Sequence, residues 1–321
     1  MRLRNLLLCV LFIAPLQVFC WGFFGHKKIN RIAVFTLPTE LMAFYKTNVE
    51  FVSQHAVDPD MRRYAIAEEA PRHYIDIDHY GDHPFETVPR KWDSAVAKFS
   101  VDTLMEYGIV PWHIERMYYR LVDAFKKEDA LYILKTSADI GHYIADAHVP
   151  LHTTENYNGQ LTGQHGIHGF WESRLPELYS KGYDFFTGKA RLIADPLDMA
   201  WDAVEKSHSA VDSVLEFEHQ LNDDFASDRK YAFEERGAST VKTYSKDYSL
   251  EYHVRMDGMV ERRMRASIIM TGSIWYSAWI EAGQPDLNLE ITDDQKKQEE
   301  ARFQELKSKR STQKIFGRAH E

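Results

Sequence analysis

Gly141-His142-Tyr143-Ile144-Ala145-Asp146-Ala147-His148-Val149-Pro150-Leu151-His152 is the most informative stretch of this sequence. Its apolar residues recur every three or four positions, which predicts a helix that ends near Pro150. His142 and Asp146 are four positions apart, so both side chains leave one face of that helix, one turn apart. His148 lies about 120° around the helix from His142, at roughly 100° per residue. We therefore expect His148 to pack or face solvent.

A second segment repeats this spacing. In His168-Gly169-Phe170-Trp171-Glu172 a histidine again precedes a carboxylate by four positions, and His152 lies between the two pairs. Imidazole nitrogens and carboxylate oxygens are the usual ligands of a catalytic zinc site that keeps one position open for water. One such pair is commonly an exposed ion pair, but two pairs with a further histidine favour a metal centre.

Upstream carboxylates and a histidine are further candidates. They lie in two stretches, Asp58-Pro59-Asp60 and Arg72-His73-Tyr74-Ile75-Asp76-Ile77-Asp78. Carboxylates beside proline are common at turns and helix caps, so a structural role for Asp58 and Asp60 stays open. Asp76 and Asp78 are possible acceptors that orient His73.

Helical periodicity dominates the rest of the chain, and alternating strand patterns are scarce. The pattern predicts an all-α fold with a single multi-helix domain over residues 21–287. Residues 222–249 read as a charged surface loop, and residues 288–321 read as a charged C-terminal tail.

The N-terminus resembles a secretory signal peptide over residues 1–20. Arg2 and Arg4 precede an apolar run that is about half the length of a membrane span, so no transmembrane anchor is expected. Cleavage there would make Trp21 the N-terminus of an exported protein, either periplasmic or secreted. The free amino group and carbonyl oxygen of Trp21 would then chelate one ion, with His26 as a further ligand. Both cysteines, Cys9 and Cys20, lie in this segment, so the mature chain would have no disulfide.

The composition restricts the class of partner. Hydrophobic residues make up 44% of the chain, which indicates a folded protein rather than a disordered one. The 39 basic and 48 acidic residues give a formal charge of −9. This balance argues against a generic electropositive surface for duplex DNA or anionic membranes.

Taken in order, these motifs resemble those of the zinc-dependent phospholipase C family and its relatives, the fungal single-strand-specific zinc nucleases. The shared features are an N-terminal Trp21 followed by a nearby histidine, an aspartate before a His-aromatic-x-Asp motif, His-x3-Asp-x5-His, and His-x3-Glu. The resemblance covers residues 21–283. It implies an all-α fold whose cleft holds three zinc ions and hydrolyses phosphate esters.

The resemblance also implies a ligand set. One ion would be held by Asp58, His73, His142 and Asp146, a second by Trp21 and His26 with Asp146 as a bridge, and a third by His152, His168 and Glu172. Asp58 is favoured over Asp60 because its interval to His73 fits the spacing of the family better. A zinc-activated water would attack phosphorus in line, and Asp58 would also orient this water or take its proton.

The substrate is less clearly indicated, because the motifs divide between the two branches. The Trp21 to His26 spacing resembles the nucleases, whereas Glu172 and the short interval from His152 to His168 resemble the phospholipases. We expect a phospholipase C-like phosphodiester hydrolase acting on phospholipid, with no stable protein partner. A nuclease acting on single-stranded nucleic acid, and a non-catalytic binding protein stabilised by zinc, are the alternatives.

Overall fold

The protein folds almost entirely into helices. A computed structural model describes residues 22–236 and 239–318, and among these residues the only sheet is a two-stranded hairpin. The prediction of an all-α fold is thus confirmed. The α-helices are α1 (Gly22–Ala33), α2 (Thr39–Thr47), α3 (Val49–Gln54), α4 (Asp58–Arg62), α5 (Pro84–Thr87), α6 (Trp92–Phe99), α7 (Val101–Tyr107), α8 (Val110–Lys126), α9 (Ala130–Ala147), α10 (Ile167–Gly169), α11 (Leu175–Tyr179), α12 (Pro196–His208), α13 (Val211–Asp224), α14 (Lys246–Arg255), α15 (Met259–Glu281) and α16 (Asp293–Thr312).

Short turns of tighter or wider helix connect these elements. The segment Phe170–Arg174 is a π-helix, a form that is often found at functional sites. The 3-10 helices are Val34–Thr36, His55–Val57, Ala67–His73, Ile77–Tyr80, Pro150–Thr153 and Ser227–Arg229. Four of these seven segments contain or adjoin a candidate ligand.

Helix α9 lies at the centre of the molecule. The Asp129 side chain caps its first turn by accepting a hydrogen bond of 3.0 Å from the backbone N–H of Tyr132. Ile133, Leu134 and Ile140 are fully buried in the main hydrophobic core, and α1, α8, α12 and α15 pack around the helix. A helix surrounded in this way keeps its side chains in fixed rotamers, so it is a rigid support for His142 and Asp146.

A glycine lets α1 approach α9 closely. A Cβ at Gly141 would overlap Oδ1 of Asn30, and the Asn30 side chain donates a hydrogen bond of 3.0 Å to the carbonyl of Ala138. His26 lies one turn before Asn30 on the same face of α1. This contact therefore brings the His26 ring onto that of His142, with ring centroids 3.9 Å apart.

The hairpin lies within the stretch that the sequence analysis interpreted as a surface loop. Strands β1 (Tyr231–Arg236) and β2 (Ser239–Tyr244) pair antiparallel, with Tyr231 opposite Tyr244. The strand-forming residues Thr240, Val241 and Thr243 account for β2. Arg174 donates two hydrogen bonds, of 2.8 and 2.6 Å, to the Glu234 carboxylate. This ion pair fastens the hairpin to the π-helix.

The helix of the C-terminal segment is not isolated from the rest of the chain. Thr292 and Gln295 form a capping box at the start of α16, and Phe303 and Leu306 form a small buried cluster with Met61 and Val57. The division of the chain at residue 287 stays a prediction. The predicted signal peptide and Trp21 lie outside the described residues, and within the described part no helix is long and apolar enough to cross a membrane.

Candidate metal centre

Histidine and carboxylate side chains from distant parts of the chain converge beside α9. They form three groups, and within each group the candidate ligand atoms lie within 4.8 Å of one another. All of the members are buried. The groups are His26, His142 and Asp146; Asp60, His73 and His142; and His152, His168 and Glu172. The structure therefore brings together each described residue of the expected ligand set except Asp58.

Asp146 connects the groups through its two carboxylate oxygens. Oδ2 lies 2.9 Å from Nδ1 of His73 and 3.2 Å from Nε2 of His142. Oδ1 lies 3.5 Å from Nε2 of His26 and 4.0 Å from Nε2 of His152. Each oxygen thus faces a different set of imidazoles, as a carboxylate that bridges two ions must do.

Asp60, rather than the expected Asp58, faces the His73 and His142 rings. Its Oδ1 lies 3.8 Å from Nε2 of His142 and 4.0 Å from Nδ1 of His73. The other carboxylate oxygen, Oδ2, is buried and has no hydrogen bond with any described residue. Both aspartates belong to the short helix α4, where residues two apart point in different directions, so only one of them faces the His73 and His142 rings.

Asp58 instead belongs to a fourth group that already contains fixed cations. It lies 3.0 Å from Nδ1 of His55 and 2.7 Å from Nη2 of Arg302 on α16. Glu299 is the third member of this group, and its Oε2 lies 2.6 Å from Nζ of Lys135. The positive charge that a metal would supply is provided here by arginine and lysine, so this group is an ion-pair cluster.

The remaining group lies at the other side of Asp146. Nε2 of His168 lies 2.5 Å from Oε2 of Glu172, and Nε2 of His152 lies 3.3 Å from the same oxygen. His168 and Glu172 lie on the short helix α10 and the π-helix that continues it. The four-residue spacing read from the sequence therefore does place both side chains on one face.

Backbone carbonyls fix the orientation of three imidazoles. Nδ1 of His142 donates a hydrogen bond of 2.8 Å to the backbone carbonyl of Ala56. Nδ1 of His152 donates one of 2.6 Å to the backbone carbonyl of His73. Nδ1 of His168 donates one of 2.9 Å to the backbone carbonyl of Tyr157. A carbonyl oxygen only accepts, so Nδ1 carries a proton, and the neutral form of each ring would present the lone pair of Nε2 to a metal in the centre. Such outer hydrogen bonds are typical of histidines that bind metal.

A carboxylate that the sequence did not single out lies behind the His73 ring. Nδ1 of His73 faces the centre, while its Nε2 lies 3.8 Å from Oε1 of Glu69, a residue that is fully buried. Asp76 pairs with Arg318, and Asp78 accepts a hydrogen bond of 2.6 Å from Thr154. Among the described residues, neither of these two carboxylates forms a hydrogen bond or an ion pair with His73. Glu69 precedes His73 by four positions, so the spacing that identified the other pairs was also present here.

The other histidine of the central motif lies apart from the three groups. His148 is buried, and its Nδ1 donates to the Ile144 carbonyl at 2.8 Å. Burial and the nearby guanidinium of Arg263 lower the pKa of His148 to about 3. It is a packed, neutral histidine, which agrees with its position on another face of the helix.

The pKa shifts within the centre reflect burial and the close approach of imidazoles and carboxylates. Burial lowers the pKa of His26 to about 4. Burial also opposes charge on His142, but the carboxylates of Asp146 and Asp60 outweigh it and raise the pKa of His142 to about 9. Burial opposes ionisation of Glu172 as well, yet the imidazoles of His168 and His152 lower its pKa to about 2. Glu172 is therefore ionised at neutral pH, as an anionic ligand must be.

The donor separations fit zinc. Bonds of about 2.0–2.1 Å in a tetrahedron place neighbouring donor atoms about 3.3 Å apart. The histidine–carboxylate pairs around Asp146 and Asp60 described above lie 2.9 to 4.0 Å apart, and all donor atoms of a group lie within 4.8 Å of one another, so modest movements would bring these atoms to that spacing. Nitrogen and carboxylate oxygen donors without thiolate are also the set found in catalytic zinc sites.

Comparison with known proteins gives a likeness in structure but none in sequence. No protein-family model matches the chain, and no curated protein is similar in sequence. Among solved structures, the chain is similar to the alpha-toxin of Clostridium perfringens isolated from an avian strain, with 12% identity and a TM-score of 0.45. The match covers 83% of this chain and 64% of the toxin chain, so this chain spans less than two thirds of that protein.

Proposed function

We propose that this protein is an exported hydrolase that uses three zinc ions to cleave phosphodiester bonds, with a phospholipase C-like preference for phospholipids. The observation that carries the proposal is the position of Asp146, whose two oxygens face His73 on one side and His26 on the other. A structural zinc site is closed by four ligands around one ion. A carboxylate shared between adjacent groups is instead the arrangement of a multinuclear catalytic centre.

Asp60 replaces Asp58 in the ligand set that we propose. One ion would be held by Asp60, His73, His142 and Asp146, and the third by His152, His168 and Glu172. His26 and Asp146 would hold the second together with the backbone of Trp21. Because Arg302 and His55 hold the Asp58 carboxylate, we assign the general-base role to Asp60, whose Oδ2 is free of hydrogen bonds within the described chain.

The chemistry divides between the ions and the chain. Bound zinc supplies a water of lowered pKa and positive charge for the phosphate oxygens. The backbone carbonyls of Ala56, His73 and Tyr157 orient three of the imidazoles, those of His142, His152 and His168. Helix α9 keeps Asp146 at a fixed position among the imidazoles. No serine or cysteine nucleophile is needed for this reaction.

The proposal is tested by assaying mature, zinc-loaded protein in parallel on phosphatidylcholine micelles and on single-stranded DNA. His142→Ala removes a ligand that two groups share and should abolish turnover. His148→Ala is the matched control, because it removes another buried imidazole of the same motif that lies outside the three groups. We expect this control variant to keep its zinc and its activity.

The two substrates separate the candidate functions. Lipid turnover that His142→Ala abolishes and His148→Ala retains supports the phospholipase C-like function. Turnover of DNA alone would assign the nuclease function to the same centre. Full zinc content without hydrolysis of either substrate would contradict the proposal and favour a binding protein that zinc stabilises.

A further inference from the structure

The end of the described chain returns to the segment that carries His73. The backbone N–H of Phe316 donates a hydrogen bond of 2.9 Å to the carbonyl of Arg63, and the Arg63 guanidinium donates to the carbonyl of Arg318. Gly317 has a φ of +78°, and a Cβ there would meet the side chain of Ala70 at 2.5 Å. Only glycine combines this conformation with so close an approach. Residues 316–318 are therefore seated at a defined place on the domain.

This seating surrounds the Arg318 guanidinium with two aromatic rings and a carboxylate, which together we call the cation pocket. The guanidinium lies 3.6 Å from the ring centroid of Tyr74 and 4.6 Å from that of Tyr157. The guanidinium also pairs with the Asp76 carboxylate. Asp76 is 2% exposed, and its second oxygen, Oδ1, is buried without a hydrogen bond to any described residue. Two aromatic faces and a buried carboxylate are the recognised elements of an organic-cation site.

The pocket adjoins the metal centre without sharing a ligand side chain with it. Tyr74 follows His73 directly in the sequence, and the carbonyl of Tyr157 accepts the hydrogen bond from Nδ1 of His168. Its cation-binding groups are two phenol rings and one carboxylate, none of which belongs to the three groups of candidate ligands. Occupation of the pocket can therefore be measured without zinc and independently of any hydrolysis.

We propose that Tyr74, Tyr157 and Asp76 form a binding site for an organic cation, and that Arg318 fills this site as an intramolecular ligand. A quaternary ammonium or a guanidinium ion in solution competes with Arg318 for the same three side chains. Release of Arg318 frees residues 316–318 from Arg63, because the backbone contacts and the side-chain contact hold the same short segment. The C-terminal segment is thus an internal competitor for external cations.

The first experiment measures cation binding by calorimetry. Arg318→Ala empties the site, and we expect this variant to bind tetramethylammonium and methylguanidinium about tenfold more tightly than the unmodified chain does. Lys314→Ala is the matched control, because it removes a positive charge from the same segment at an exposed position. This control should bind like the unmodified protein. Adding Tyr157→Leu to Arg318→Ala should abolish binding, while the backbone carbonyl that contacts His168 is retained.

Either of two results with the Arg318→Ala variant would overturn the proposal. One is an Arg318→Ala variant that is folded by near-ultraviolet circular dichroism and binds neither cation. The other is equal binding by this variant and the unmodified chain. Binding of tert-butanol, an uncharged molecule of similar shape, as tightly as tetramethylammonium would also contradict recognition of charge.

A second measurement uses the unmodified protein and so does not depend on the folding of a variant. Trypsin cleavage after Lys314 requires the C-terminal segment to leave the domain surface. Tetramethylammonium chloride should accelerate this cleavage severalfold relative to sodium chloride at the same concentration. Unchanged cleavage across the titration would show that external cations do not displace Arg318, and would reject the competition.

Discussion

Nδ1 of His73 lies 2.9 Å from Oδ2 of Asp146, although the two residues are 73 positions apart in the chain. On the opposite side of the ring, Nε2 of His73 faces Glu69 at 3.8 Å. The imidazole therefore lies between two carboxylates, one that it contacts inside the proposed metal centre and one behind it that is close enough to act through its charge. Its orientation depends on how the segment 67–73 packs against α9, and this relationship leads to the first two predictions.

Asp146→Asn should remove most of the bound zinc while leaving the helix intact. Asparagine keeps the shape of the side chain but loses the negative charge that faces both His73 and His26. We expect activity to fall by more than about a hundredfold, beyond the roughly 10–100-fold cost of losing an outer partner. Elemental analysis of the purified variant measures the zinc directly. Full zinc content would contradict the bridging role of Asp146.

Glu69→Gln should weaken zinc binding without removing a ligand. Loss of the carboxylate behind His73 reduces the basicity of its ring and loosens its orientation, which typically costs about 10–100-fold in metal affinity. Competition with a chromogenic chelator gives the zinc affinity. Glu68→Gln, at an exposed neighbouring position, is the control and should bind zinc like the unmodified protein. Equal affinity in both variants would exclude a positioning role for Glu69.

Much of the fold and centre followed from spacing along the sequence. The pairs His142 with Asp146 and His168 with Glu172 lie on helices, where a four-residue interval fixes a common face regardless of the rest of the fold. The helical class followed in the same way from apolar periodicity. These features are local, so the sequence alone carries them.

Other features depend on contacts between distant segments and could not be read from spacing. Asp58 and Asp60 are both compatible with the sequence around His73, and the choice depends on Arg302, which reaches Asp58 from 244 positions away. The docking of α16 was also missed, because its surface is mostly charged and only Phe303 and Leu306 anchor it. Tertiary contacts of this kind leave no periodic signal.

Gly141→Ala should separate α1 from α9. The added methyl group would overlap the Asn30 side chain, and overpacking of this kind costs about 1–3 kcal/mol. We expect a lower free energy of unfolding in urea and weaker zinc binding, because His26 moves away from His142. Gly182→Ala is the control, since its Cβ would meet the nearest atom, the Tyr179 carbonyl oxygen, at an ordinary 3.5 Å. Equal stability of the two variants would argue against the close contact.

An extra residue before Trp21 should weaken binding of the ion that we propose His26 helps to hold. The proposed chelation needs the free amino group of Trp21, and an added alanine converts this group into an amide that no longer coordinates well. The extended protein should bind fewer zinc ions than protein with a free Trp21, and its activity should fall with them. Identical zinc content and activity in both forms would show that cleavage does not complete the site.

The most direct test of the proposed centre is an anomalous difference map, recorded at the zinc absorption edge from crystals of zinc-loaded mature protein. We predict three peaks in the cluster around Asp146, with Asp60 rather than Asp58 at one of them and no peak between His55, Asp58 and Glu299. Absence of zinc from the cluster, or a single peak held by four ligands, would contradict a trinuclear hydrolytic centre.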